Sequence, residues 1–376
     1  MINKVFVFIG SKKDFEKLLK KEISESEDTI TFMQLIQQYN YKLRPNDTGT
    51  KEIAFGKSIH VNNCIVRADD YGSVLEHVLS NFATIIMLNH DIDKLFVHNP
   101  PKKVLNSLQN NCRNIIYQNS KYRKINRSKL KSVYKTFNSE ILGQERGKIQ
   151  IISGIYRLIN KSSKKPIVLM LYGPSGVGKT ETAKVISKCM GGNLLRIQFS
   201  MMQTIEASNY IFGAEHSKPS FARDMLARES NVILIDEFDK VSPSFYNAFY
   251  ELFDEGVYED VNYQVYLKNS IFILTSNFKN EEEIKNTLGP AMFSRVGCCI
   301  EYEDLKVEDK RSIVKSYYSS ILDSLTKDEK KIIDESNILK WFLDNADRYD
   351  NIRSLKIKLE NAIFDKLTEI LIINDV

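Results

Sequence analysis

Eight consecutive residues, Gly173-Pro174-Ser175-Gly176-Val177-Gly178-Lys179-Thr180, carry the clearest chemistry in this chain. They read G-x-x-x-x-G-K-T between an apolar run and a helical pattern, the setting in which such a loop wraps phosphate. The glycines let backbone N–H groups turn inward, and the following helix adds its positive end. Lys179 brings a point charge to the terminal phosphates, and Thr180 offers a hydroxyl to Mg²⁺. The set expected at ATP runs from Gly173 through Thr180 to Glu181. A second segment, Val232-Ile233-Leu234-Ile235-Asp236-Glu237, ends an apolar strand on two carboxylates. Ligands of open α/β sheets bind at that strand end. Asp236 is expected to hold Mg²⁺, and Glu237 to polarise a water for in-line attack on the γ-phosphorus.

The elements that must position these groups are short apolar runs alternating with helical patterns. Candidate strands are Ile167–Tyr172, Leu194–Phe199, Val232–Asp236, Ile271–Thr275 and Cys298–Tyr302. Most of these runs are apolar enough to suit a parallel sheet covered on both faces. Between them, Lys179–Met190 reads as a helix stopped by Gly191-Gly192. Ser242 is placed to cap a helix carrying Phe245, Phe249 and Phe253, ended by Gly256. The expected fold class is α/β: a doubly wound parallel sheet over residues 140–304 and a mainly helical region over 305–376, where Leu355, Leu359, Ile363 and Leu367 recur every four residues. Residues 1–139 read as a mixed α/β region for client or partner recognition. It has a strand at Val5–Ile9, a helix burying Phe15, Leu18 and Leu19, and a further possible strand at Ala83–Leu88.

Composition narrows the class. The 376 residues are 43% hydrophobic and 27% charged, ordinary for a folded soluble protein. The longest apolar run is far short of the roughly 20 residues that span a bilayer. Val5–Ile9 is too short for a secretory core, so a cytoplasmic protein is expected. Five cysteines without a C-x-x-C pair suggest neither a disulfide framework nor a zinc ribbon. Net charge is +5, yet residues 94–139 hold eleven Lys and Arg and no acid, leaving the remainder net acidic.

Together with Gly143-Gln144, Asp236-Glu237-Phe238-Asp239-Lys240, Leu274-Thr275-Ser276-Asn277 and Phe253-Asp254-Glu255-Gly256, the loop resembles the AAA+ superfamily, in particular the C-terminal ATPase module of the Clp unfoldases and disaggregases. The resemblance covers about residues 140–376 and implies an ATP hydrolase acting as a homo-oligomeric ring or spiral, commonly of six. It implies that Asn277 is the sensor 1 residue and that Arg295 is an arginine finger reaching a neighbour's site. It further implies that Arg353 is the sensor 2 arginine and that Leu142 and Gly143 line the adenine pocket. The family's Gly-Ala before sensor 2 is replaced here by Asn351-Ile352. Guanine specificity is disfavoured, because Asn160-Lys161-Ser162-Ser163 lacks the aspartate of N-K-x-D and precedes the loop.

The family's substrate-gripping Gly-Tyr-Val-Gly loop has no counterpart in Ile211–Phe221, where Phe221 is either the gripping aromatic or a core residue. No Clp-peptidase-docking tripeptide is seen. The expected function is ATP-driven remodelling of a protein substrate or partner. The other readings are a nucleic-acid-linked motor or sensor, of a defence or mobile-element system, and a scaffold assembled by ATP binding alone. The nucleic-acid reading draws on the basic residues between Lys94 and Lys135 and on Tyr117, Tyr122 and Tyr134, since cations neutralise phosphates and aromatics stack on bases. A solvated surface explains the same charges.

Overall fold

A computed structural model describes residues 1–42, 59–88, 90–159, 165–198 and 205–373. Asn160–Ser163, Phe199 and the last three residues lie outside them. The strands are β1 (Ile2–Ile9), β2 (Thr29–Thr31), β3 (Ile59–Val66), β4 (His90–His98), β5 (Ile115–Asn119), β6 (Ile167–Tyr172), β7 (Leu195–Gln198), β8 (Val232–Asp236), β9 (Val257–Glu259), β10 (Gln264–Tyr266), β11 (Ile271–Thr275) and β12 (Cys298–Glu301).

They form two five-stranded parallel sheets and one small hairpin. The sheet bearing the phosphate loop has the order β12-β6-β11-β8-β7. Every residue of β6, β8 and β11 is buried. Successive side chains in a strand point to opposite faces, and the cores divide accordingly. Val168, Met170, Ile233, Ile235, Phe272 and Leu274 join an aromatic-rich core with Phe221, Phe238 and Phe249. Leu169, Leu171, Val232, Leu234, Ile271 and Ile273 join the other with Val185, Ile186 and Phe137. A buried aromatic or branched aliphatic side chain contributes roughly 1.5–3 kcal/mol, so two full faces hold this sheet rigidly.

The helical region comprises Val307–Ser324, Lys327–Asp334, Ile338–Asp344 and Ile352–Thr368. Leu355, Leu359, Ile363 and Leu367 are all buried in its core, as their spacing predicts.

Two local expectations need correction and one open alternative is decided. Ala83–Leu88 is no strand: Phe82–Met87 is a helix, burying Phe82, Ala83, Ile85 and Ile86. A short run of apolar residues broken only by Thr84 fits either element, and here it follows closely on the helix Glu76–Ser80. Ser242 caps no helix. Its hydroxyl pairs with that of Ser244, a 3-10 turn covers Pro243–Phe245, and the helix starts at Asn247. Phe221 is fully buried at the start of the helix Phe221–Ala227, 4.8 Å from the Tyr258 ring, and so belongs to the core.

The N-terminal sheet has the order β2-β3-β4-β1-β5. With only its own strands numbered, the phosphate-loop sheet runs 2-3-4-1-5 as well, and all its pairings are likewise parallel. The two halves of the chain therefore share one strand order, which no sequence motif announces. They also touch. The Lys102 amide donates to Asn262 O at 2.8 Å, and its Nζ meets Glu259 at 2.6 Å. His216 Nε2 reaches Val74 O at 2.7 Å, and the Arg228 guanidinium covers the Tyr122 ring at 4.4 Å. Among the described residues, no helix is long and apolar enough to cross a membrane.

Candidate functional site

The phosphate loop leaves β6 and enters the helix Lys179–Met190 at the carboxyl end of the sheet. Gly173, Gly176 and Gly178 have φ of 129°, 86° and 102°, values that favour glycine. A Cβ on Gly173 would lie 2.1 Å from Tyr302 O, and one on Gly176 would lie 2.7 Å from Asn351 Oδ1. Among the described residues, none accepts from the amides of Gly176, Val177, Gly178, Lys179 or Thr180. Val177 is buried in the core, so only its backbone faces the loop's interior.

The fold brings distant residues onto this loop. Lys179 Nζ donates to Gly173 O and Pro174 O, both at 2.6 Å, and to Asn277 Oδ1 at 3.3 Å. Burial lowers its pKa to about 8, against the opposing pull of Asp239 and Asp236. A chemically costly cation is thus held beside the loop, poised to gain from an anionic ligand.

Thr180 Oγ1 stands 3.5 Å from each Asp236 oxygen. Thr275 donates its hydroxyl to Asp236 Oδ1 and accepts the Glu237 amide at 3.0 Å. Glu237 has a left-handed φ of 56°, a strained conformation for this residue that turns its carboxylate off the strand. Hydroxyl and carboxylate oxygens together make a hard donor set suited to Mg²⁺.

These groups line a cleft of about 950 Å³ between the sheet and the helical region. Ser175, Glu181, Leu142, Ile141 and Arg353 line it too. Glu181 is paired with Lys184 at 2.9 Å on the helix surface. Gly143 packs against Leu305 and Asp309. Asn351, where the family has glycine, hangs its carboxamide over Gly176 and caps the helix bearing Arg353, accepting the Arg353 amide at 2.8 Å.

Arg295 lies apart from this cleft. It donates to Asp254 at 2.8 Å and to Ala291 O at 2.6 Å, and it stacks over Tyr250. Sequence reasoning missed Arg196, which lines the cleft and grips Asp236. No sequence signal marked it, because its strand comes to lie beside β8 only in the fold.

Part of the basic block is spent on ion pairs. Lys94 pairs with Glu27, Lys102 with Glu259 and Lys103 with Glu76. Tyr122 is taken up by Arg228, while Tyr117 and Tyr134 are exposed. Among the described residues, no group of three His, Cys, Asp or Glu is placed to hold a metal.

A parallel sheet with a glycine-cradled lysine at its carboxyl end and paired carboxylates two strands away defines a P-loop nucleotide-binding domain. Comparison with known proteins narrows the class. Residues 164–328 match the family model described as AAA domain (Cdc48 subfamily). The chain is 27% identical over 236 residues to the chaperone protein ClpB of Mycoplasmoides gallisepticum, covering 56% of this chain and 33% of that protein. It is 25% identical over 287 residues to the ATP-dependent Clp protease ATP-binding subunit ClpC of Staphylococcus aureus, covering 65% and 35%. Its fold matches the S. cerevisiae Hsp104–ADP complex with a TM-score of 0.51 at 17% identity, over 66% of this chain and 49% of that one. Residues 164–328 are an AAA+ ATPase domain resembling the ATPase modules of Clp unfoldases. The chain spans about a third of the length of the curated relatives it matches.

Proposed function

We propose that this protein is an oligomeric AAA+ ATPase that couples ATP binding and hydrolysis to remodelling of a protein substrate or partner. One observation carries the reading. Lys179, Thr180, Asp236, Thr275 and Asn277, drawn from three segments of chain, converge at one strand end beside a glycine cradle. In this reading the cradle amides and Lys179 bind the β- and γ-phosphates. Asn277, already beside Lys179, orients the attacking water, and Glu237 accepts its proton. Thr180 and Asp236 hold Mg²⁺, which when bound neutralises charge on the phosphates. Leu142 and Gly143 sit at the base, and Arg353 reports on the γ-phosphate from the helical region.

Arg295 completes a neighbouring protomer's site. To do so it exchanges Asp254 and Tyr250 for a phosphoryl group, which gives the finger an intramolecular rest position. The chain divides into a partner-selecting region (1–139), the ATPase region (140–304) and a small helical region (305–376). The contact between His216 and Val74 puts the segment that grips substrate in Clp unfoldases against the N-terminal region. This supports force applied through the N-terminal region in place of threading past an aromatic loop.

The test is ATP turnover together with sedimentation of the full-length protein with and without ATP. Glu237→Gln is expected to keep ATP binding and lose about 10²–10⁴-fold in turnover. Arg295→Ala subunits mixed into wild type are expected to depress activity more than in proportion to their fraction. Full turnover by an isolated monomer would overturn the shared site. Turnover stimulated by single-stranded nucleic acid and abolished by salt would favour the nucleic-acid reading.

A further inference from the structure

We propose that Arg196 is a placeholder for the divalent cation: it neutralises Asp236 before Mg²⁺·nucleotide binds and is displaced from that carboxylate on binding. The proposal rests on the nucleotide reading above and concerns how that site is charged and discharged.

The geometry is specific. Arg196 lies on the edge strand β7, in register with Leu234 of β8, and its side chain reaches two residues along to Asp236. Nη2 stands 2.6 Å and Nε 3.0 Å from the same oxygen, Oδ2. The other oxygen, Oδ1, accepts from Thr275, and Thr180 approaches both. Asp236 is a buried anion, its side chain 8% exposed, whereas the Arg196 side chain is 47% exposed. A buried carboxylate left without a counter-charge is costly. Here the counter-charge enters from the open side of the cleft.

That arrangement conflicts with metal binding. A divalent ion held by Asp236 would be a like charge close to the guanidinium on its Oδ2, in a place water screens poorly. The two would compete for this carboxylate. Arg196 is the mobile member: its stem is flexible and half in solvent, while its backbone is held by pairing with β8. Gln198, on the same face of β7, donates to Glu237 Oε2 at 3.4 Å. One edge strand thus contacts both carboxylates of the site, and eviction of Arg196 is felt next to the catalytic base.

The experiment compares wild type, Arg196→Gln and Arg196→Lys in full-length protein. Binding of a fluorescent ADP analogue is followed against free Mg²⁺ set with EDTA, and melting is followed without nucleotide or metal. The expected result is that Arg196→Gln lowers the free Mg²⁺ needed for half-saturation by about tenfold, the loss of a competing charge contact. Its metal-free melting temperature falls, and Arg196→Lys lies between the two. A Mg²⁺ requirement that is unchanged or raised overturns the placeholder role and puts Arg196 on the phosphates instead. Should wild type bind no ADP at any Mg²⁺ level, the nucleotide reading fails. The melting arm then judges the pair alone, and an unchanged melting temperature overturns it.

Discussion

The two five-stranded sheets have the same strand order, yet among the described residues they differ at the end of their first strands, where only the second is followed by a glycine-rich loop. Between β6 and its helix run six residues, Gly173 to Gly178; between β1 and the helix Lys12–Glu22 run two, Gly10 and Ser11. The short connection is sealed. Asn99 Oδ1 accepts the Gly10 amide at 2.8 Å, Ser120 Oγ accepts the Ser11 amide at 3.0 Å, and Ser11 caps Asp14. Asn99 follows β4 as Asn277 follows β11, so an asparagine in the corresponding strand-end region faces a lysine in one sheet and closes a turn in the other. The cavity of about 380 Å³ at the N-terminal strand ends is lined partly by Ser217 and Arg223 of the ATPase half. A shared topology delivers strand ends to one place. Whether those ends bind phosphate depends on loop length and on amides left unspent.

Lysine replacement gives the sharpest break in this comparison. Lys179→Ala is expected to cost about 10²–10³-fold in ATP turnover, the usual loss when a donor to developing charge is removed. Lys12→Ala and Lys13→Ala, at the start of the equivalent N-terminal helix, are expected to stay within about twofold in the same assay. Equal losses would mean that the N-terminal strand ends also serve nucleotide.

Glycine replacement separates the sheets by a second readout. Gly10 has φ 145° and a Cβ there would lie 2.1 Å from Ser120 Oγ. Gly10→Ala is expected to destabilise the fold by about 1–3 kcal/mol in chemical denaturation while sparing ADP affinity. At Gly178 a Cβ finds nothing nearer than 3.8 Å, but φ is 102°. Gly178→Ala is expected to weaken ADP binding more than it lowers stability.

Proton linkage sharpens the contrast further. The Lys179 pKa is lowered to about 8 from 10.5 by burial. Between those values the unfolded chain holds a proton that the folded, nucleotide-free protein has released, so this group makes stability rise with pH across that window. Nucleotide requires the protonated form, so its affinity is expected to fall as pH climbs above 8, by up to about tenfold per unit. Calorimetric titration with ADP from pH 7 to 9.5 checks this, and a flat profile removes the buried-lysine account. The smallest effect is expected from Lys102→Ala. It removes a partly exposed ion pair between the halves and costs less than about 1 kcal/mol. Hydrogen exchange in the β9–β10 hairpin is the measurement.

Legibility followed locality. The phosphate loop and the β8 carboxylates were readable because each is a contiguous segment whose backbone does the work. β6, β8 and β11 were readable because burial on both faces confines polar residues to their ends. Asn277 was placed beside nucleotide only through family resemblance, and its contact with Lys179 spans 98 residues of chain. Ala83–Leu88 fits helix and strand alike, because a short apolar run broken only by Thr84 has no decisive period. The N-terminal strand order was invisible because β2 has three residues and the buried half of β3 follows an exposed start.

By itself the sequence determined a phosphate cradle, two carboxylates on a buried strand and a helical region with a four-residue repeat. These are properties of neighbouring residues, set by backbone freedom and periodic burial. Only the tertiary structure decided that Arg196 grips Asp236, that Arg295 rests on Asp254, that Asn351 overhangs Gly176 and that the two sheets share an order. Each of those depends on where a side chain or strand from elsewhere in the chain comes to lie. Packing of the two sheet faces and the docking of the helical region set that placement, and no local pattern encodes it.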